Sequence, residues 1–155
     1  MGQKTLLWIG IVLLFLVIST ISALSNNKAA DISNILPPSD TIEEKQIKVY
    51  GNKIILEIPN AQWASYTNTK SMSPVLDAGA NGIEIVPESE DELHIGDIVA
   101  YEKKWGNIPV IHRIVDIKED ELGTYYVLKG DNNETIDPVK VRFEQIKYKL
   151  IAIIY

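Results

Sequence analysis

The 155-residue chain contains no cysteine, and it has only two histidines and two phenylalanines. Without a thiol there can be no disulfide, no thiolate zinc site and no cysteine nucleophile. Positive charge is also scarce, with 15 Lys+Arg against 21 Asp+Glu. Beyond residue 25 the imbalance grows to 14 against 21, a net charge of −7. That acidity argues against a nucleic-acid surface, which would need a basic stripe to neutralise phosphates. Internal repeats and low-complexity tracts are absent, and no long 3.6-residue apolar period follows residue 44. That last absence argues against a helical domain and for short strands.

What the chain does have is one long apolar run. Leu6 to Leu24, nineteen residues without a charge, follows Lys4. At 1.5 Å per residue it would reach roughly 28 Å as a helix, about the hydrocarbon thickness of a bilayer. Lys4 favours a cytoplasmic start, which leaves the remainder on the outer face. Cleavage of the run as a signal peptide, near Ala23-Leu24-Ser25, is the competing expectation. Residues 1–25 are therefore expected to be a single-pass membrane anchor. Residues 26–44, polar and carrying Pro37-Pro38, read as a linker, and 45–155 as a β-rich domain.

Strand signals fill that domain. Ile47–Tyr50 and Ile54–Ile58 flank Gly51-Asn52, a two-residue hairpin turn. Ile83–Val86, Asp97–Tyr101, Val110–Ile117, Tyr125–Lys129 and Ile146–Ile154 follow. Strict alternation would put His112 with Val110, Ile114 and Asp116, opposite Ile111, Arg113, Val115 and Ile117. It would likewise put Ile146, Tyr148, Leu150, Ala152 and Ile154 on one face. The fold class is mainly β: a sheet or barrel-like domain behind one transmembrane helix. Glu88–Glu92 reads as a solvated acidic loop.

Chemistry could come from a few places. Thr67–Val75, "TNTKSMSPV", is a polar loop whose serines are weak nucleophiles unless a base reaches them. His94 lies among acidic residues and reads as a surface residue, whereas His112 lies inside a strand, where a lone histidine is by default structural. Asp131 and Asp137 bracket "GDNNETIDP", which is first of all turn chemistry. A calcium loop fails there, because Ile136 stands at the glycine position and Arg142 at the bidentate glutamate. No metal or cofactor is expected. Asn133-Glu134-Thr135 is a glycosylation sequon, read as coincidental because a sugar beside the proposed site would obstruct it.

"SMSP" at Ser71, "GDIVAY" at Gly96, "IHRIV" at Ile111 and "GDNN" at Gly130 with a later Asp-Pro occur in that order. Together they resemble the type I signal peptidases, membrane-anchored serine peptidases that remove signal peptides. The resemblance is narrower to the archaeal and endoplasmic-reticulum branch, since His112 precedes Arg113 where the bacterial branch has a lysine base. It covers roughly residues 67 to 140 plus the leading apolar run. It implies Ser71 as nucleophile, His112 as general base, Asp137 as the carboxylate orienting the histidine and Asp131 as a supporting aspartate. Thr69 and the Ser71 N–H would bind the oxyanion.

The implied substrates are preprotein signal peptides with small residues at the first and third positions before the cut, bound extended. The bilayer and the protein-export channel are the other implied partners, and the catalytic domain would face away from the cytoplasm. Trp63, Tyr66 and Trp105 are candidates for pocket walls or the bilayer interface. Lys70 departs from the pattern, which often has glycine there, and would be strained if the loop needs positive φ. Ser73 replaces a common acidic residue, and Leu76–Ile85 is longer than the family leads one to expect. A membrane-tethered β module that binds extended peptides without cutting them is the alternative. A self-cleaving repressor of related architecture lacks its DNA-binding helices here.

Overall fold

The computed structural model describes residues 35–103 and 108–155. The apolar run expected to form the anchor lies outside them, as do residues 26–34 of the linker. Among the described residues no helix is long and apolar enough to cross a membrane. Leu36–Tyr155 forms one compact unit built of antiparallel strands and three short 3-10 turns.

Strands β1 (Ile47–Val49) and β2 (Ile54–Leu56) make the hairpin foreseen around Gly51-Asn52. The main sheet has six strands, β3 (Gln62–Ser65), β4 (Asn81–Ile85), β5 (Ile98–Tyr101), β6 (Val110–Asp120), β7 (Gly123–Lys129) and β8 (Ile146–Ile154). Their spatial order is β3-β4-β8-β5-β6-β7. β5 lies inside the sheet with all four of its residues buried, so its alternate side chains feed a core on each face. Val99 and Tyr101 join Leu93, Ile114, Tyr126, Leu128, Val141 and Ile146. Ile98 instead packs with Met72, Leu76, Ala80 and Leu150.

Strict alternation fails in the two longest strands, and β-bulges are the cause. Between Ile114 and Asp116 the register of β6 against β7 slips, leaving Val115 exposed. Beyond the slip the faces exchange. Ile117 pairs with Tyr126 and packs on the same core as Ile114, while Asp116 moves to the other side. In β8, one slip separates Ile146, paired with Tyr101, from Tyr148, paired with Ala100. A second separates Leu150 from Ala152 opposite β4. Ile146 therefore joins one core and Leu150 the other. The single-face expectation for both strands is wrong for this reason.

The segment before β1 is tied to the sheet. Ser39 donates from both its backbone N–H and its hydroxyl to Asp97 Oδ1, at 2.8 Å each. Lys149 Nζ lies 3.0 Å from the other Asp97 oxygen and donates to Ser39 Oγ and to the Glu92 carbonyl. Burial works to push the Asp97 carboxyl up. The Ser39 and His94 N–H groups, Lys149 and the Ser39 hydroxyl outweigh it and hold the group below the usual carboxylate range. His94 is exposed and contributes its backbone here, with its ring 3.9 Å from Asp97.

Candidate active site

β7 pairs with β6 only as far as Arg113 and Lys129. The chain then turns away at Gly130, which leaves His112 at a stretch of β6 uncovered by β7. His112 pairs with Val99 of β5, so its ring starts on the side of the sheet where Tyr101 is buried. There Nδ1 meets Asp137 Oδ2 at 2.7 Å, and the Tyr101 hydroxyl donates to the same oxygen at 2.7 Å. Burial works to raise the Asp137 carboxyl. The bonds from His112 and Tyr101, with the charges of His112 and Lys103, prevail and keep it below the ordinary range. An ionised carboxylate can only accept, so Nδ1 carries its proton and Nε2 of the neutral ring is left as an acceptor. A buried Tyr101 squeezed against this charge has its own hydroxyl pushed up.

Asp131 does something else. Its two oxygens take Nε and Nη2 of Arg113 at 2.8 and 2.6 Å, a two-pronged pair of side chains that are 3% and 5% exposed. Arg113 Nη1 also donates to the Gly96 carbonyl at 2.7 Å. Of the two aspartates, Asp137 is the one on His112, while Asp131 locks the next residue along β6. Its contact is with the neighbour of the histidine, and its support is indirect.

The serine loop is fastened to the turn that holds Asp131. Asn132 N–H donates to the Ser71 carbonyl at 2.8 Å, and its side-chain amide to the Lys70 carbonyl at 3.1 Å. Met72, 3% exposed, anchors the loop in the core on the Leu150 face. Gly130 makes the approach possible, since a β-carbon there would stand 2.6 Å from the Ser71 carbonyl oxygen. Lys70 has φ +62, so the left-handed conformation that favours glycine is here adopted by a lysine. The Ser73-Pro74 peptide bond is cis.

Ser71 is half-buried, with its Oγ 3.2 Å from Thr69 Oγ1. It is joined to Thr69 and not by a hydrogen bond to His112. Ser71, Thr69 and His112 nevertheless border one cavity of about 560 Å³, with Asn133, Tyr66 and Ile111. The serine loop packs on the Leu150 side and His112 starts on the Tyr101 side, and both border this cavity. A glycan on Asn133 would occupy that cavity. Of the aromatic candidates, Tyr66 lines the cavity, Trp63 is exposed on β3 with its indole N–H on Asn81, and Trp105 lies outside the described residues.

The residue that sequence reasoning missed is Glu84. It is 6% exposed, borders the cavity, and accepts from the Tyr66 hydroxyl at 3.1 Å. The expected strand Ile83–Val86 gave a signal, since a carboxylate on the inward face of a strand is unusual.

No family model and no solved structure matches the chain. Curated proteins match it in part. A stretch of 54 residues is 44% identical to the signal peptidase complex catalytic subunit sec11 of Schizosaccharomyces pombe, covering 35% of this chain and 28% of that protein. A stretch of 78 residues is 32% identical to the catalytic subunit SEC11 of Scheffersomyces stipitis, covering 50% and 45%. An uncharacterized protein of Methanocaldococcus jannaschii is 47% identical over 45 residues, 29% of this chain and 22% of that one. The matches thus span less than half the length of these relatives, and over that span the chain is related in sequence to signal peptidase catalytic subunits.

Proposed function

We propose that this chain is a membrane-anchored serine endopeptidase that removes signal peptides from exported preproteins, cutting after small residues. Ser71 attacks the scissile carbonyl while His112 Nε2 takes its proton, then returns it to the leaving amine. Asp137 holds the ring in the required tautomer and stabilises the imidazolium. The Ser71 N–H and Thr69 hydroxyl receive the oxyanion. Hydrolysis then needs only water, with no metal or cofactor. Leu6–Leu24 is the anchor, with the peptidase domain on the outer side of the membrane and the export channel as a neighbour.

The observation that carries this reading is the His112–Asp137 pair at 2.7 Å, whose histidine borders a cavity that Ser71 also borders. Two stretches bordering the cavity, Ser65–Thr67 and Pro109–Ile111, are suited to flank an extended peptide. The link between Ser71 and Thr69 is compatible with catalysis, because catalytic hydrogen bonds often tighten only when substrate is bound. Purified full-length protein in detergent or liposomes should cleave a preprotein, and Ser71→Ala and His112→Ala should each abolish the cleavage. Full activity in either variant refutes the assignment. Peptide binding without any cleavage by the wild type supports the tethered binding module instead.

A further inference from the structure

Glu84 is held in the sheet where nothing in the core calls for charge. β4 alternates so that Gly82 and Glu84 turn inward, and Glu84 pairs with Leu150 of β8. The nearby Ile98–Leu150 cluster is apolar. Residue 82 must be glycine for the pair to form, because the Tyr66 hydroxyl occupies the place of a β-carbon there. Burying a carboxyl in such surroundings costs stability unless its oxygens are bonded.

One of those oxygens has a protein partner. Oε1 accepts from Tyr66, and Oε2 has no hydrogen-bond donor among the described residues. No fully buried side-chain oxygen in the described residues goes without a partner, so Oε2 keeps some exposure, and the cavity that Glu84 borders is where a bound peptide can reach it. In the free protein water can serve it. A bound peptide displaces that water and must replace the hydrogen bond or leave a buried polar group unmet.

We propose that Glu84 is a specificity-determining residue, whose free oxygen makes one wall of the cavity a subsite for a hydroxyl side chain, serine or threonine, of the bound peptide. This rests on the peptidase reading and refines its requirement for small residues. Ala64 and Ala100 line the same cavity and leave room for a short side chain. Lys103 also borders it, so the cavity carries charges of both signs and gives no net preference for a cationic or an acidic side chain. A hydroxyl suits either protonation state of Glu84, donating to the carboxylate or accepting from the acid. That matters because burial pushes the Glu84 carboxyl up against the pull of the Tyr66 bond.

The test uses the full chain in detergent and a set of signal-peptide substrates with Ser or Ala at each of the positions before the cut. At one position the wild type should prefer Ser over Ala by about tenfold in kcat/KM, the scale set by leaving a buried polar group unpaired. Glu84→Leu should abolish or reverse that ratio. Glu84→Gln, which keeps the volume and an acceptor, should preserve its sign and so serves if the leucine variant does not fold. A wild-type ratio within twofold at every position, or a Glu84→Leu protein that keeps the Ser preference, overturns the proposal. Binding of the same peptides to Ser71→Ala protein separates the two readings. If the wild type cleaves nothing but Glu84-dependent preference for Ser persists in binding, the peptidase reading falls and the subsite stands. If neither cleavage nor preference is seen, both fall.

Discussion

Ser71 and His112 reach one cavity from supports of different kinds. His112 belongs to a paired strand and is 5% exposed, and its partner Asp137 is braced by Tyr101, a fully buried core residue. Ser71 stands in a turn whose neighbours Thr69 and Lys70 are exposed, and whose position depends on Met72 and on backbone bonds to the Asn132 turn. The proposed base is thus positioned by the core, and the proposed nucleophile by a loop-to-loop fastening. A perturbation on the His112 side should strike chemistry or global stability. One on the Ser71 side should strike geometry first.

Asp137→Asn should give the largest effect. The substitution keeps shape but lets the partner of Nδ1 act as a donor, which favours the wrong tautomer of His112. Loss of kcat by about 10⁴ is expected from the same change in known triads, measured on a preprotein or peptide. A loss under tenfold would mean that Asp137 does not orient a catalytic base. The same carboxylate affects stability with a definite sign. Because its folded value lies below the ordinary one near 3.9, its contribution is present above that pH and lost as pH falls through the folded value. The wild type should therefore lose stability on acidification more steeply than the Asn variant, read from denaturant midpoints between about pH 5 and 2.

Next comes Asp131→Ala, which strands the buried guanidinium of Arg113 with the Gly96 carbonyl as its main remaining partner. Removing one member of a buried pair typically costs about 3–5 kcal/mol, and denaturant unfolding would register it. Where the variant remains folded, kcat should fall far less than in Asp137→Asn. Equal losses would erase the distinction between an aspartate that touches His112 and one that braces its neighbour.

Gly130→Ala tests the fastening of the serine loop. Its new β-carbon meets a backbone oxygen, that of Ser71, which cannot rotate out of the way as a flexible side chain would. A displaced nucleophile costs roughly 10²-fold per ångström of misplacement, so kcat should fall by about that much while cooperative unfolding is retained. Unchanged kcat would mean the Asn132 turn does not set the position of Ser71.

How much of this was legible in the sequence follows the same division. The hairpin around Gly51-Asn52 and most strands could be read, because turn residues and apolar runs are local signals. β3 was missed, since Gln62-Trp63-Ala64-Ser65 has no apolar alternation and is mostly exposed, its strand character coming from pairing with β4. The face assignments beyond Val115 and in β8 were wrong because a bulge adds one residue without leaving a mark in the sequence. Residue pattern alone could not tell Asp131 and Asp137 apart, as both lie in one turn-rich stretch, and only the family resemblance implied Asp137 as the partner of His112. What separates them is tertiary: the Asp137 N–H bonds to the Leu128 carbonyl, and Asp131 meets Arg113. Glu84 was legible only as an anomaly, a carboxylate at an inward strand position.

The smallest effect should come from Lys70, where the sequence already pointed to strain. A non-glycine residue in the left-handed region costs on the order of 1–2 kcal/mol, and φ +62 places Lys70 there. Glycine relieves that cost but adds freedom to the unfolded chain, which offsets part of the gain. Lys70→Gly should therefore stabilise the domain by about 0.5–1 kcal/mol net. The carbonyl that accepts from Asn132 belongs to the backbone and survives the substitution. Lys53→Gly is the matching control, since Lys53 is also exposed but outside the left-handed region, and there glycine should only destabilise. If both variants lose stability alike, Lys70 is not strained. The serine loop would then be held without cost, and its difference from the His112 side would lie in exposure alone.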